Sequence, residues 1–136
     1  MKVKLDPGAF APTRAHGTDA GLDIYSPVDT RVPANGSAVI NTGVHAQIPG
    51  NCVGILASKS GLNINHGITS RGIIDEGYSG AITVRLDNSS ADDYQIRRGD
   101  KITQLLIIPC EYVGIEIVDE IESGTRGANG FGSTGR

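Results

Sequence analysis

The chain is poor in aromatic and sulfur-bearing side chains. Among its 136 residues are no tryptophan, two phenylalanines, four tyrosines, two cysteines and one methionine. With so few rings the core has to be aliphatic, built from Val, Ile and Leu, and an aromatic outside it calls for explanation. Cys52 and Cys110 are far apart and no Cys-x-x-Cys pair exists. Each reads as a buried or partly buried reduced thiol, not as half of a disulfide or a metal site. His16, His45 and His66 are scattered, without the i, i+4 or His/Cys clustering that zinc requires. The His-x-Glu and Pro-Cys-x-x-Cys of zinc deaminases are missing as well. Twelve Lys plus Arg against fifteen Asp plus Glu give a formal charge of −3. That leaves no basic stripe for nucleic acid and no acidic arm. The longest apolar run, Leu105–Ile108, is too short to cross a bilayer, and Met1–Pro7 lacks the apolar stretch of a signal peptide. The expectation is one soluble, cytoplasmic domain with no membrane and no direct nucleic-acid partner.

Glycine, in contrast, is abundant, at nineteen residues. Turn residues punctuate short β-rich runs: Val3–Leu5, Leu22–Tyr25, Ser37–Asn41, Val44–Ile48, Cys52–Ala57, Gly67–Ile74, Ala81–Asn88, Lys101–Pro109 and Val113–Val118. No segment sustains apolar residues at helical spacing, beyond one turn starting near Ser60. Such a pattern predicts an all-β fold, a distorted jelly roll or β-sandwich with at most one short helical turn. Residues 1–122 form its body and 123–136 a flexible glycine-rich C-terminal arm.

That arm is the most informative stretch. In Arg126–Arg136, glycines let backbone N–H groups approach an anion, and Ser133 and Thr134 supply hydroxyls. Arg126 offers a fork suited to phosphate, and Phe131 a flat face for a base. The same composition also describes a disordered tail. Four other segments carry possible chemistry, each with a plain structural reading beside it. In Ala20–Ile24, Asp23 reads first as a strand-end residue capping a turn. Ala57–Leu62 runs a strand into Lys59, Ser60 and Gly61, which suits a helix N-cap or an anion site. Gly72–Gly80 followed by Ala81–Val84 reads as a β-hairpin with Asp75 entering the turn and Tyr78 leaving it. In Arg98–Leu106 a turn feeds an apolar strand, and Gln104 needs polar partners from backbone or ligand.

Taken together and in order, these five segments resemble the ordered motifs of the trimeric dUTPase family, the deoxyuridine triphosphate nucleotidohydrolases. The Gly-Phe-Gly-Ser-Thr-Gly tail and the Gly-Ile-Ile-Asp…Tyr-x-Gly hairpin are the most specific parts. The resemblance implies that Asp75 is the general base that directs water at the α-phosphorus of dUTP, giving dUMP and pyrophosphate. It implies that backbone groups around Ile73, Ile74 and Thr83 read uracil and that Tyr78 packs beneath the deoxyribose. Lys59, Ser60, Gly61 and Gln104 face the phosphates. Asp23 supports the water shell of a Mg²⁺ cofactor otherwise held by phosphate oxygens. Phe131 with Gly132 closes over the base while Arg126, Ser133 and Thr134 hold the γ-phosphate. The implied assembly is a homotrimer with shared sites.

Some positions depart from the family pattern. Lys59 stands in place of the usual arginine, Asn129 in place of a glycine, and Gly77 in place of an acidic residue. Ser79 replaces a frequent arginine, and Asp87 sits where an apolar residue is common, which bears on the subunit interface. Two alternatives stay beside the hydrolase. One is a dCTP deaminase-like enzyme on the same fold, and the other a non-catalytic nucleotide-sensing protein with a regulatory partner.

Overall fold

The computed structural model describes residues 1–122, 124 and 127. Ten strands and one helix follow in order: β1 (Val3–Leu5), β2 (Leu22–Tyr25), β3 (Thr30–Val32), β4 (Ser37–Asn41), β5 (Val44–Ala46), β6 (Cys52–Ala57), α1 (Ser60–His66), β7 (Ile68–Ile74), β8 (Thr83–Asn88), β9 (Tyr94–Ile96) and β10 (Lys101–Pro109). The central sheet has the order β2-β10-β6-β7-β8-β4, flanked by the two-stranded pairs β1-β5 and β3-β9. Each named pairing is antiparallel. The all-β expectation holds.

Side-chain period explains which faces meet. Along β8, Val84, Leu86 and Asn88 point inward while Thr83 and Arg85 face solvent, the alternation of a half-buried strand. Ile24, Ile40, Ile68, Ile82, Leu86, Ile96, Ile102 and Leu105 fill the interior. The core is aliphatic, as the shortage of rings requires. Burying the amide of Asn88 needs full hydrogen-bond satisfaction. Its Nδ2 donates to the carbonyls of Val32 and Asp92, and its Oδ1 accepts from the backbone and hydroxyl of Ser90. Those bonds anchor the β3-β9 pair to the main sheet.

Several boundaries differ from the sequence reading. The three-residue strands β3 and β9 were not expected. Strand β5 stops at Ala46, and β8 starts at Thr83 because the backbone of Ile82 is engaged by Thr42 and Val44. Helix α1 begins at Ser60 but runs for seven residues, longer than one turn, until Gly67 at φ 66° ends it in left-handed geometry. The expected strand Val113–Val118 is not formed. A strand requires a neighbouring edge, and this segment lies against none among the described residues of the single chain. Ile115 and Ile117 are more than 90% exposed.

Candidate active site

The hairpin between β7 and β8 is open at its tip, and the ladder register explains it. The two strands pair only through Ile68↔Asn88, Thr69↔Asp87 and Ser70↔Leu86. Beyond Ser70, β7 stays with its other neighbour, from Ala57↔Arg71 to Gly54↔Ile74. Strand β8 likewise stays with β4 down to Asn41↔Thr83. Each strand follows its outer partner, so a slot opens between Gly72–Ile74 and Ile82–Thr83. Ile73 and Thr83 are exposed at this slot, while Ile74 is buried beneath it. Asp75 is exposed where β7 ends, and the carbonyl of Asp75 accepts the N–H of Tyr78.

Tyr78 folds back over the hairpin. Its hydroxyl donates to the carbonyl of Ala81 at 3.1 Å, and its ring is about half exposed. This fold-back depends on Gly80, since a Cβ there would collide with the phenol ring. The other flank of the turn is pinned by Glu76, whose carboxylate accepts from Asn51 N–H at 2.9 Å and Tyr112 Oη at 2.6 Å. The Tyr112 and Asn51 hydrogen bonds hold the Glu76 carboxyl below the usual range. Asn51 can serve because it sits in the left-handed region, at φ 55°, ending the turn after Pro49. Asp75, Glu76, Cys52, Cys110 and Tyr112 line an open cleft of about 650 Å³ beside the slot. Both cysteines are free thiols and partly buried.

A second group assembles at the opposite end of β6. Asp23 pairs with Gln104 across β2 and β10, and Gln104 pairs with Ala57 on β6. The buried Asp23 carboxylate, on a side chain only 6% exposed, receives the ammonium groups of both Lys59 and Lys101, the latter at 2.8 Å. Burial pushes the Asp23 carboxyl up. Hydrogen bonds from Lys101 and Lys59, with their charges, outweigh burial and leave it below the ordinary value. The same pairing with Asp23 raises the Lys101 ammonium. Gln104 Nε2 donates to the Ser58 carbonyl at 3.1 Å, and Gly21 makes room for the amide. Lys59 is the N-cap of α1, followed by Ser60 and Gly61, both open to solvent or nearly so. Asp100 is a brace: its carboxylate accepts Arg97 N–H and its carbonyl accepts Ser26 N–H, closing the turn before β10.

The described structure thus gathers Asp23, Lys59, Ser60, Gly61 and Gln104 at one end of β6. Ile73, Ile74, Asp75, Tyr78 and Thr83 gather toward the other. From the registers, Asp75 and Gln104 are about 16 Å apart, given about 3.3 Å rise per residue and 4.8 Å between strands. Arg126, Phe131, Gly132, Ser133 and Thr134 lie outside the described residues. Among the described residues no three His, Cys, Asp or Glu side chains converge on a metal position. Sequence reasoning missed Lys101 and the Glu76–Tyr112 pin. The first has a signal, because a lysine opening a strand beside one that carries a buried Asp is well placed to pair with it.

A family model of dUTPase sequences matches residues 9–135. The chain belongs to the dUTPase family. Among curated relatives, the deoxyuridine 5'-triphosphate nucleotidohydrolase of Clostridium acetobutylicum is 40% identical over 139 residues, spanning 99% of this chain and 96% of that protein. The Saccharomyces cerevisiae deoxyuridine 5'-triphosphate nucleotidohydrolase is 38% identical, spanning 99% and 94%. Among solved structures, the Staphylococcus bacteriophage 80alpha dUTPase with dUPNHPP aligns at TM-score 0.92 and 31% identity, covering 99% of this chain and 98% of that one. A mutant dUTPase from phage phi11 of S. aureus, described with a structural Mg(II) ion, aligns at TM-score 0.82 and 31% identity over 88% and 96%. The family resemblance read from the sequence therefore holds over nearly the whole chain. No helix among the described residues is long and apolar enough to cross a membrane.

Proposed function

We propose that this chain hydrolyses dUTP to dUMP and pyrophosphate, with Asp75 as general base, Mg²⁺ as cofactor and dUTP as the discriminating substrate. The observation that carries the reading is the hairpin slot left by the divergence of β7 and β8, with Asp75 exposed at its mouth. Strand backbone not engaged in a ladder offers N–H and C=O groups of fixed direction, which suits recognition of a uracil edge around Ile73, Ile74 and Thr83. We expect a base seated between the parted strands to leave no room for a methyl at C5. Tyr78, held by Ala81, presents its ring beside the sugar. Because that ring is fixed, a ribose 2′-hydroxyl finds neither room nor a partner. Asp75 accepts the proton of the attacking water, and its position at a strand end fixes the approach to the α-phosphorus.

Lys59, Ser60, Gly61 and Gln104 serve the phosphates. The Lys59 ammonium donates to the Asp23 carboxylate. Bound triphosphate would compete for that ammonium, and Asp23, still paired with Lys101, would have one oxygen available to support the water shell of Mg²⁺. Single carboxylates at separate places suit Mg²⁺, which dehydrates reluctantly and takes phosphate oxygens in preference to a protein cage. When bound it lowers the charge repulsion that an incoming hydroxide meets. The arm carrying Arg126, Phe131, Gly132, Ser133 and Thr134 closes over the nucleotide and excludes water.

The assembly we propose is a homotrimer in which sites are shared. Placement of the hairpin and the phosphate-facing group at opposite ends of β6 supports a site completed by a neighbouring copy. The exposed run from Val113 to Ile121 supports it too, as a strand awaiting an edge. The activity limits uracil incorporation into DNA and provides dUMP for thymidylate synthesis. We place it in the cytoplasm, in keeping with the free thiols. The test is incubation with dUTP, dTTP, UTP and dCTP, with products separated by chromatography. The expected result is dUMP and pyrophosphate from dUTP alone, and Asp75→Asn that binds a non-hydrolysable analogue yet loses about 10²- to 10⁴-fold in turnover. Deaminated dCTP, or an Asp75→Asn protein of undiminished rate, contradicts the reading.

A further inference from the structure

His45 on β5 lies opposite Lys4 of β1, between the N-terminal strand and the hairpin tip. Its Nδ1 is 2.8 Å from the carbonyl oxygen of Ser79, and its Nε2 is 3.1 Å from Asp6 Oδ1. Both partners are acceptors, one a carbonyl and the other a carboxylate. A neutral imidazole carries a single N–H and can serve only one of them. The second ring nitrogen would then set its lone pair against an oxygen lone pair. Only the imidazolium satisfies both contacts.

We propose that His45 is a positioning residue for the catalytic hairpin, protonated while it ties Ser79 to Asp6, and that loss of its proton breaks that two-sided tie and loosens the flank carrying Tyr78. The inference rests on the reading of this hairpin as the catalytic one. The hairpin tip is pinned at two points. Glu76, bound by Asn51 and Tyr112, holds one flank, and with its carboxyl lowered this pin does not titrate near neutrality. The His45 pin does. The Ser79 carbonyl, then the Asp6 carboxylate, hold the imidazolium above the ordinary histidine range, against partial burial and the charge of Lys4. Lys4 Nζ is 3.9 Å from Asp6 Oδ1, and Lys2 and Tyr78 line the same cleft of about 410 Å³. Among the described residues no other charged side chain bonds the ring. The sign follows from a raised value in the folded protein. The contact is complete below the unfolded value of about 6.5 and is lost as pH rises through the higher folded one.

Two measurements separate this from a merely structural role. The first follows the imidazole signals by NMR across pH in the full chain, with His45 assigned by comparison with His45→Gln. Its midpoint is expected above about 6.5, and Asp6→Asn is expected to lower it. The second follows kcat and KM for dUTP over the same range. Wild type is expected to lose about five- to tenfold in kcat/KM across the His45 midpoint, the scale of a modestly misplaced catalytic group. His45→Gln, which keeps a donor for Ser79 but does not titrate, is expected to remove that decline. A midpoint at or below the ordinary value, no shift in Asp6→Asn, or an alkaline decline retained in His45→Gln overturns the proposal. If wild type does not hydrolyse dUTP, the hydrolase reading fails on its own. The clamp is then judged by NMR and by hydrogen exchange of the Asp75–Gly80 amides, whose protection is expected to drop through the same midpoint.

Discussion

Asp23→Asn removes a charge at nearly constant volume from the point where Lys59 and Lys101 converge. The Asp23 side chain is 6% exposed, while those of Lys59 and Lys101 are 28% and 42% exposed. Breaking a fully buried ion pair costs about 3–5 kcal/mol, whereas an exposed pair contributes about 0–1 kcal/mol. A buried carboxylate served by two half-open ammonium groups falls between those limits, and solvent screening of the lysines gives about 1–3 kcal/mol. The amide can still accept from one lysine, which favours the lower half of that range. The pH dependence has a definite sign. Because the Asp23 carboxyl is lowered in the folded chain, its contribution is complete above the unfolded value of about 3.9 and disappears as pH falls through the folded one. Urea unfolding at fixed protein concentration, followed by circular dichroism near neutral pH and in steps toward about pH 3, measures both features. Asp23→Asn is expected to be less stable near neutrality by that amount, and the gap is expected to close in acid. A gap under about 0.5 kcal/mol near neutrality, or one that stays constant into acid, refutes the reasoning.

Two other outcomes are expected. In Gly21→Ala the new Cβ meets Gln104 Oε1 and lies 3.1 Å from Gln104 Cβ and Cδ, so the amide must leave the Ser58 carbonyl. We expect a loss of about 1–3 kcal/mol in stability and a raised KM for dUTP, checked by urea unfolding and initial rates; unchanged KM contradicts the placement of Gln104. On the proposed reading, in which the arm closes over bound nucleotide, deleting the residues after Gly124 is expected to leave the thermal midpoint of the body unchanged and to reduce turnover at least about tenfold.

The sequence located most of this structure because its strands alternate and its turns are marked. Strands β2, β4, β6 and β10 begin and end where turn residues flank apolar runs. Strands β3 and β9 escaped because three residues are too few to show a period, and a long-range contact, the buried Asn88 amide, fixes them. The run Val113–Val118 has the pattern of a strand without an edge to join, so local sequence alone could not place it. Asp75 and Tyr78 were legible as turn residues of a hairpin. The parting of that hairpin was not, because it arises from competition of β7 and β8 for partners distant in sequence. The His45 bridge was equally hidden, since it joins residues 39 and 34 positions away.

On the proposed reading, the hairpin bearing Asp75 and the group around Lys59 belong to sites completed between copies. Mixing inactive Asp75→Asn with inactive Lys59→Ala under mild unfolding and refolding tests it directly. In a threefold ring whose sites each draw on two neighbouring chains, every mixed ring contains one intact site. Equal mixing is therefore expected to restore about a quarter of the wild-type rate of pyrophosphate release. A mixture no more active than its two parents contradicts the account.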